Sequence, residues 1–278
     1  MTRPDHTAIA VKRLRCAYPR VSVLKGLDFE VKSGEFFIIL GPNGSGKTTL
    51  IRSLAGLLPI SGGAIRINQR SLNTYSRREL ARQLAYVAQT CGDDGPFTIR
   101  ELVLMGRSPY LGMLGVEGDT DVAIANQAIE YTDLSHLADR RIDSVSGGER
   151  QRAHISRAIC QQTGLILLDE PTAALDLAHQ IRIMGLMDTL KKARGTTVIM
   201  VSHDLNLAAM YADRLLLLVD GRVAVCGTPQ QVINAETLVK AYGAHLLVDR
   251  SPAGNWPRVN LVKAPQKAAA DSPNDVFK

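Results

Sequence analysis

Mostly apolar runs of strand length recur along the chain. They lie at residues 36–40, 165–169, 197–202 and 215–219. Runs of this kind are typical of parallel strands that are buried on both faces of a sheet. Helical periodicity separates the later runs, at residues 176–194 and 204–211. This alternation of strand and helix predicts an α/β fold with a doubly wound sheet.

The rest of the pattern divides the chain further. Strand signals also occur at residues 9–16, 29–31, 64–67 and 84–87. From residue 98 the periodicity becomes helical, at residues 98–105, 119–131 and 148–161. We therefore expect a mainly helical subdomain over about residues 89–161. From about Ser251 the chain contains proline, alanine, lysine and aspartate without a period, which predicts weak order.

A glycine-rich segment directly follows the run 36–40. It reads Gly41-Pro42-Asn43-Gly44-Ser45-Gly46-Lys47-Thr48, continues with Thr49, and fits the pattern of a P-loop. Glycines let backbone N–H groups surround phosphate oxygens, Lys47 brings a cation to them, and the Thr48 hydroxyl can ligate Mg²⁺. The alternative is a plain glycine-rich turn with an exposed lysine, which the preceding strand disfavours.

A second helix start with similar chemistry lies further along the chain. Ser146-Gly147-Gly148-Glu149 opens a helical stretch. A small hydroxyl residue and two glycines leave backbone N–H groups unpaired at the positive end of the helix dipole, which favours an anion. Two such helix starts suggest a nucleotide that is held from two sides.

Two adjacent carboxylates end the run 165–169. Asp169 stands at the carboxyl end of a buried strand, where doubly wound sheets bind ligands, and can hold Mg²⁺ through water. Glu170 is the candidate to position or deprotonate an attacking water. The alternative is a solvated loop with two acids, which the following Pro171-Thr172 and the upstream P-loop disfavour.

These motifs occur in an order that resembles the ATP-binding subunits of ABC transporters. The P-loop, Gln89, the Ser-Gly-Gly signature, the Asp-Glu pair and His203 match that family's ordered set, and the resemblance covers about residues 9–248. It implies an ABC-type P-loop NTPase with a RecA-like core, an antiparallel β subdomain and the inserted helical subdomain. Residues 249–278 then form a short C-terminal extension, which is expected to be weakly ordered.

The resemblance implies ligands and catalytic roles. ATP and Mg²⁺ are the expected ligands, with Thr48, Gln89 and Asp169 as the metal-binding residues. Glu170, His203 and Gln89 are the expected catalytic residues. His203 is expected to contact the γ-phosphate. Gln89 is expected to reach metal or water and to relay contact to a membrane subunit. From the residues alone, a polar side chain that merely ends a strand is the stronger reading of Gln89.

The resemblance also implies contacts with adenine and with a second subunit. Tyr18 is expected to stack on adenine, although an ordinary packed tyrosine is the alternative. Ser146–Glu149 of one subunit is expected to close over ATP that is bound to Lys47 of the other. Asp176 is expected in the loop that crosses the dimer interface.

The chain departs from the family pattern in three places. Val145 stands where leucine is usual, Glu149 where glutamine is usual, and Ala173 where many members have serine. The first two leave the phosphate cradle Ser146–Gly148 intact but leave open what the fifth signature position contacts. The third removes one hydroxyl contact.

Composition narrows the classes of partner. The 278 residues are 45% hydrophobic, enough for a sizeable core, and carry a net charge of +6. A basic chain can bind nucleic acid or an anionic membrane, but a solvated basic surface with phosphate ligands is an equal reading. The four separated cysteines read as reduced cytosolic thiols. Without a signal peptide or an apolar run near the ~20 residues of a membrane span, we expect a soluble chain whose pore is another polypeptide.

One segment bears on cargo. Met105–Tyr110 and the Glu149–Arg152 end of the signature resemble importers for ferric siderophores, haem and cobalamin, although a glycine- and proline-containing loop is the alternative for the first. The resemblance implies a homodimer bound peripherally to polytopic permease subunits at the cytoplasmic face of the plasma (inner) membrane. It also implies an extracytoplasmic substrate-binding protein and no direct nucleic-acid binding. The alternatives are a soluble ABC-type ATPase that acts on nucleic acid, and an ATPase subunit of another importer or exporter.

Overall fold

The computed structural model describes residues 6–18, 21–89, 95–112, 115–173, 175–243 and 246–262. Within them the strands are β1 (Thr7–Tyr18), β2 (Val21–Lys32), β3 (Phe36–Leu40), β4 (Gly62–Ile67), β5 (Arg70–Ser71), β6 (Leu84–Val87), β7 (Leu165–Asp169), β8 (Thr197–Val201), β9 (Arg214–Val219), β10 (Arg222–Gly227), β11 (Leu246–Arg250) and β12 (Pro257–Leu261). The helices are α1 (Lys47–Leu54), α2 (Arg77–Ala81), α3 (Ile99–Leu104), α4 (Asp119–Tyr131), α5 (Gly147–Cys160), α6 (Leu177–Arg194), α7 (Leu205–Tyr211), α8 (Pro229–Val232) and α9 (Ala235–Tyr242). Short 3-10 turns lie at Leu72–Thr74, Met105–Arg107, Ser135–Leu137 and Ile142–Ser144. No helix in these ranges is both long and apolar enough to cross a membrane.

A six-stranded sheet forms the centre of the fold, in the order β10-β9-β3-β8-β7-β6. Neighbours from β9 to β6 run parallel, whereas β10 joins the edge antiparallel. The inner strands β3, β7 and β8 are buried at every position, as expected where both faces are covered. The predicted α/β fold is confirmed. The parallel strands bring their carboxyl ends to one edge, where such sheets bind ligands.

Strand β3 separates two hydrophobic cores, because successive side chains of a strand point to opposite faces. Phe36, Ile38 and Leu40 pack with apolar residues of α3 to α6. Phe37 and Ile39 pack with α1 and with a second sheet. That sheet is antiparallel, has the order β2-β1-β4-β5, and contributes the predicted antiparallel β layer.

Helices dominate the described residues between 95 and 161. They are α3, α4 and α5, joined by 3-10 turns, and α4 begins and ends at the residues that the periodicity predicts. Leu102, Ile129 and Ala153, one from each helix, are buried together in the larger core. The elements agree with a helical subdomain, whose limits at about 89 and 161 stay a prediction.

The segment Met105–Tyr110 packs tightly against the end of α5. A Cβ at Gly106 would lie 2.4 Å from the carbonyl oxygen of Arg157, so only glycine allows this approach. Arg107 is 6% exposed, pairs with Asp121 at 2.8 Å and donates to the Cys160 carbonyl at 3.1 Å. Helix packing therefore accounts for the glycine and the arginine of this segment.

The C-terminal region differs from the expected weak order. β11 and β12 form an antiparallel hairpin, with Asp249 paired to Arg258 across the two strands. The side-chain amide of Asn206 on α7 binds the backbone of β12. It accepts from the Val259 N–H at 2.8 Å and donates to the Val259 carbonyl at 3.1 Å. The prediction was wrong for residues 249–262, because this hairpin is held by contacts with distant residues. Residues 263–278 lie outside the described ranges.

Candidate nucleotide site

The loop between β3 and α1 has a backbone that glycine adopts readily. The φ angles are +152° at Gly41, +77° at Gly44 and +102° at Gly46, where other residues are strained. A Cβ at Gly41 would also lie 2.1 Å from the carbonyl oxygen of Leu218. Gly46 is the N-cap of α1 and no side chain caps this end. The first N–H groups of the helix are therefore available for an anion.

Lys47 begins α1 and is only 5% exposed. Its Nζ donates to the carbonyl oxygens of Gly41 at 2.8 Å and Pro42 at 3.0 Å. Burial lowers the pKa of Lys47, whereas the negative charges of Glu170 and Asp169 raise it. The loop thus holds a cation beside the open helix start, which suits a phosphate group.

Ser45 carries a buried hydroxyl without a partner. The residue is 3% exposed, and its Oγ makes no hydrogen bond to any atom of the described residues. An unsatisfied buried hydroxyl is costly and calls for an explanation such as a ligand. A Cβ at Gly41 would lie 2.8 Å from this Oγ, so the glycine keeps space open beside it. The loop therefore fits phosphate oxygens.

Asp169 ends β7 and is fully buried. Its Oδ1 accepts from the Thr48 hydroxyl at 3.3 Å, and its Oδ2 accepts from the Tyr86 hydroxyl at 3.2 Å. Burial raises the pKa of Asp169, whereas the Tyr86 hydrogen bond and the nearby charge of Arg52 lower it. Hydroxyl and carboxylate oxygens are ligands that Mg²⁺ prefers, so Thr48 and Asp169 fit the expected metal.

Tyr86 and Arg52 are site residues that the sequence did not reveal. Tyr86 lies on β6, and Arg52 on α1 has its Nε 3.9 Å from Asp169 Oδ2. Both meet Asp169 only because α1, β6 and β7 are neighbours in the fold. The available signal was weak: a tyrosine hydroxyl in a short apolar strand, three residues before Gln89.

The three predicted catalytic residues meet at the Glu170 carboxylate. Oε2 accepts from Gln89 Nε2 at 2.7 Å, and Oε1 lies 2.5 Å from His203 Nε2. An ionised Glu170 carboxylate can only accept, so in that state His203 Nε2 is the donor of this contact. Glu170 has a φ of +51°, a left-handed backbone that costs about 1–3 kcal/mol and that the surrounding structure must hold in place.

An open cleft of about 500 Å³ connects the P-loop with Gln89, Glu170 and His203. Its lining consists of Val23, Asn43, Gly44, Gly46, Lys47, Thr48, Thr49, Gln89, Glu170 and His203. Tyr18 is not among the lining residues. It ends β1, pairs with Val21 and is 47% exposed. An adenine contact of Tyr18 stays a prediction.

The second predicted helix start, Ser146–Glu149, satisfies part of its own hydrogen bonding. Ser146 Oγ accepts from the Glu149 N–H at 3.3 Å, and Glu149 Oε2 accepts from the Ser146 N–H at 2.8 Å, which is a capping box. That bond holds the pKa of Glu149 below its ordinary value. No residue of 146–149 lines the cleft beside Lys47. The two helix starts therefore do not share one cleft within a single chain.

Asp176 is the N-cap of α6. Its Oδ1 accepts from the His179 N–H at 2.9 Å and lies 2.8 Å from His179 Nδ1. Its neighbour Ala174 falls outside the described residues. A contact of Asp176 across a dimer interface stays a prediction. His179 lies beside Gly148 of the signature, and the sequence did not reveal this contact.

Comparison with known proteins places this geometry in a family. The family profile described as "ABC transporter" matches residues 24–173. The ferric enterobactin transport ATP-binding protein FepC of Escherichia coli strain K12 is 35% identical over 248 residues, which cover 89% of this chain and 92% of that protein. The hemin import ATP-binding protein HmuV of Streptomyces coelicolor is 40% identical over 239 residues, covering 86% and 84%.

A solved structure gives the same result for the fold. It is described as an inward-facing conformation of a metal-chelate type ABC transporter, and the aligned chain is 29% identical with a TM-score of 0.81. The alignment covers 92% of this chain and 98% of that one. The family resemblance inferred from the motifs is confirmed.

Proposed function

The chain belongs to the ABC transporter family, whose ATP-binding members hydrolyse ATP to power transport, and we propose that it energises an importer for a ferric siderophore, haem or cobalamin. One observation carries the ATPase part of this proposal. The P-loop and the Glu170–Gln89–His203 group line one cleft, and the buried Asp169 carboxylate lies directly behind it, bonded to the lining residue Thr48. Phosphoryl transfer needs these elements together: a phosphate cradle, metal ligands and a base for water.

In this proposal the P-loop binds the β- and γ-phosphates of ATP. Lys47 contributes its charge, and backbone N–H groups at the start of α1 contribute hydrogen bonds. Thr48 and Asp169, with Gln89, would hold Mg²⁺, which when bound neutralises phosphate charge in the transition state. Tyr86 holds the second oxygen of Asp169 at 3.2 Å and so fixes the carboxylate's orientation.

Glu170 acts as the general base. Its carboxylate takes a proton from the attacking water, whose oxygen forms a bond to the γ-phosphorus. The bond from the γ-phosphorus to the bridging oxygen breaks, and the products are ADP and inorganic phosphate. Gln89 and His203 orient the carboxylate from both sides, at 2.7 Å and 2.5 Å. A positioned base typically contributes about 10²–10⁴ in rate.

The ATP site is completed by a second copy of the chain. Ser146–Gly148 offers an anion-binding helix start but lies outside the cleft of its own chain. A homodimer in which each signature closes on the partner's ATP gives both half-sites a ligand. ATP then acts as a bridge whose loss on hydrolysis shifts the pair toward the open state.

We further propose peripheral attachment to polytopic permease subunits at the cytoplasmic face of the inner membrane, in a system with an extracytoplasmic substrate-binding protein and no direct nucleic-acid contact. The support is the similarity to the two import and transport proteins above and to the metal-chelate type transporter. The cargo is bound by other subunits, so this chain supports its class only by association.

Glu170→Gln tests the enzymatic part. Glutamine keeps the size of the side chain and cannot act as a base. Hydrolysis should fall about 10²–10⁴-fold, while ATP binding persists and MgATP shifts the protein from monomer to dimer. Phosphate release and sedimentation velocity measure the two effects. Near-native turnover would remove Glu170 from its role, and a protein that stays monomeric at saturating MgATP, alone and with its permease, would overturn the shared site.

Co-purification tests the transport part. The full chain, expressed at native level and extracted in mild detergent, should bring down a polytopic permease. Recovery of nucleic acid or ribosomes in its place would contradict the proposal. The cargo class is then tested by titrating the system's substrate-binding protein with ferric siderophores, haem and cobalamin, and binding of none of them would reject it.

A further inference from the structure

The two glycines of the signature have different surroundings. Gly147 is exposed, and a Cβ built on it would meet nothing within 4 Å. Gly148 is buried, and a Cβ on it would lie 2.6 Å from Cδ2 and 3.0 Å from Nε2 of His179. Real Cβ atoms do not approach heavy atoms so closely. Because neither glycine has a positive φ, backbone strain does not explain why they lack side chains.

The imidazole of His179 is held where it is. Asp176 Oδ1 lies 2.8 Å from its Nδ1 and also accepts the His179 N–H at 2.9 Å. The first of these bonds ties the ring to the N-cap of α6, and the second is the backbone bond by which the same carboxylate caps the helix. The ring therefore cannot leave Gly148 without breaking a hydrogen bond to a carboxylate, which is worth more than one to a neutral group.

We propose that His179 is a positioning residue for the signature: packed on Gly148 and held by Asp176, it fixes the start of α5 against the start of α6. This inference rests on the proposed function, since the signature acts only on ATP bound by the partner subunit. The Gly147 and Gly148 N–H groups, which no intrahelical carbonyl can reach, and the Asp176 loop then meet the partner as one rigid surface. Gly148 lacks a side chain because of His179, and Gly147 because its outer side must remain open.

Rescue by a second substitution gives the sharpest test. In the Glu170→Gln background, Gly148→Ala should weaken MgATP-driven dimerisation, because the new methyl pushes His179 and α5 apart. Adding His179→Ala removes the obstacle. The association constant of the double variant should therefore be about tenfold higher than that of Gly148→Ala. Gly147→Ala is the matched control. It should weaken association too, but His179→Ala should not rescue it, since no contact links the two residues.

His179→Ala alone should reduce dimerisation more than it reduces ATP binding to the isolated subunit, measured with a fluorescent ATP analogue. If His179 merely stabilised the fold, its removal would lower both dimerisation and ATP binding, or neither of them. The inference would be overturned if the double variant Gly148→Ala/His179→Ala dimerised no better than Gly148→Ala. It would also be overturned if His179→Ala restored dimerisation of Gly147→Ala to the same extent.

Urea unfolding separates this inference from the proposed function. The free energies of unfolding of Gly148→Ala, His179→Ala and the double variant should be non-additive without nucleotide, with the double variant more stable than the sum of the single effects predicts. If Glu170→Gln never dimerises, the proposal of a shared ATP site is wrong. The non-additivity of the unfolding free energies would still test whether Gly148 and His179 are in contact. Additive free energies would reject the contact itself.

Discussion

The two predicted phosphate-binding helix starts, those of α1 and α5, are built in opposite ways. At α1 the N-cap is Gly46 with φ of +102°, no side chain caps the helix, and Lys47 is buried against the loop. At α5 the N-cap is Ser146 with φ of −64°, and Ser146 and Glu149 cap each other. One start is shaped by backbone geometry inside a cleft, and the other by side chains on the outside.

The difference indicates an order of binding. The start of α1 has open N–H donors and a buried cation, so it can bind phosphate before anything else happens. At α5 the Ser146 and Glu149 N–H groups already have acceptors and a carboxylate stands beside the helix start, which lowers its affinity for a free anion. A single subunit should therefore bind ATP through the P-loop, and the signature should contribute only when two loaded subunits meet.

Lys47→Met should have the largest effect on this comparison. Methionine keeps most of the buried volume and removes the charge, so ATP binding to the single subunit should weaken by about 3 kcal/mol, or roughly 100-fold. Isothermal titration with the isolated chain measures this directly.

Lys192→Met provides the matched control. Lys192 is exposed on α6 and pairs with Asp188, so its loss lowers the net charge equally but leaves ATP affinity unchanged. Equal losses in both variants would mean that the basic surface, and not the P-loop, attracts the nucleotide.

Ser146→Ala should have an intermediate effect. It should act on dimerisation and not on ATP binding by the single subunit. The hydroxyl contributes about 1 kcal/mol to α5 as a cap, and its removal should weaken MgATP-driven dimerisation about tenfold. ATP binding to the single subunit should stay as it is. Analytical ultracentrifugation in the Glu170→Gln background reports the association.

Ser76→Ala separates the cap from the ligand contact. Ser76 and Glu79 form the same capping box on α2, at 3.2 Å and 2.8 Å, and neither lines the cleft. This variant should lose similar stability and dimerise normally. If it loses dimerisation as Ser146→Ala does, the effect on association is one of general stability.

The sequence predicted those parts of the site that lie within one segment. The P-loop and the Asp169–Glu170 pair each follow an apolar run directly, so one stretch of chain contains both the strand and the chemical group. The central strands could be predicted for the same reason, because burial on both faces leaves an uninterrupted apolar run.

Groups that meet through tertiary packing could not be predicted in this way. Tyr86 and Arg52 reach Asp169 from two separate elements, and His179 reaches Gly148 from the next helix. The β11–β12 hairpin was missed for a similar reason, since Asn206 fastens its edge from far away in the chain. Short, partly exposed strands with distant partners carry no strong local pattern.

Glu149→Gln should have the smallest effect, and its two parts have opposite signs. Glutamine can still accept the Ser146 N–H, so the capping box survives while a negative charge near the incoming phosphate disappears. Dimerisation on MgATP should strengthen by about 0.3–1 kcal/mol, a two- to fivefold gain at low salt, whereas the helix loses a favourable dipole contact of similar size.

The pH dependence of that loss tests its origin. The Ser146 hydrogen bond depresses the pKa of Glu149 in the folded state. Its contribution is therefore complete above the ordinary glutamate value of about 4.3 and is lost as the pH falls through the lower folded value. Urea unfolding between pH 7 and pH 3 should show a smaller decline for Glu149→Gln than for the native chain. Identical declines, together with unchanged dimerisation, would mean that the charge at residue 149 has no influence on either helix start, and the contrast between α1 and α5 would then depend on Ser146 and the glycines alone.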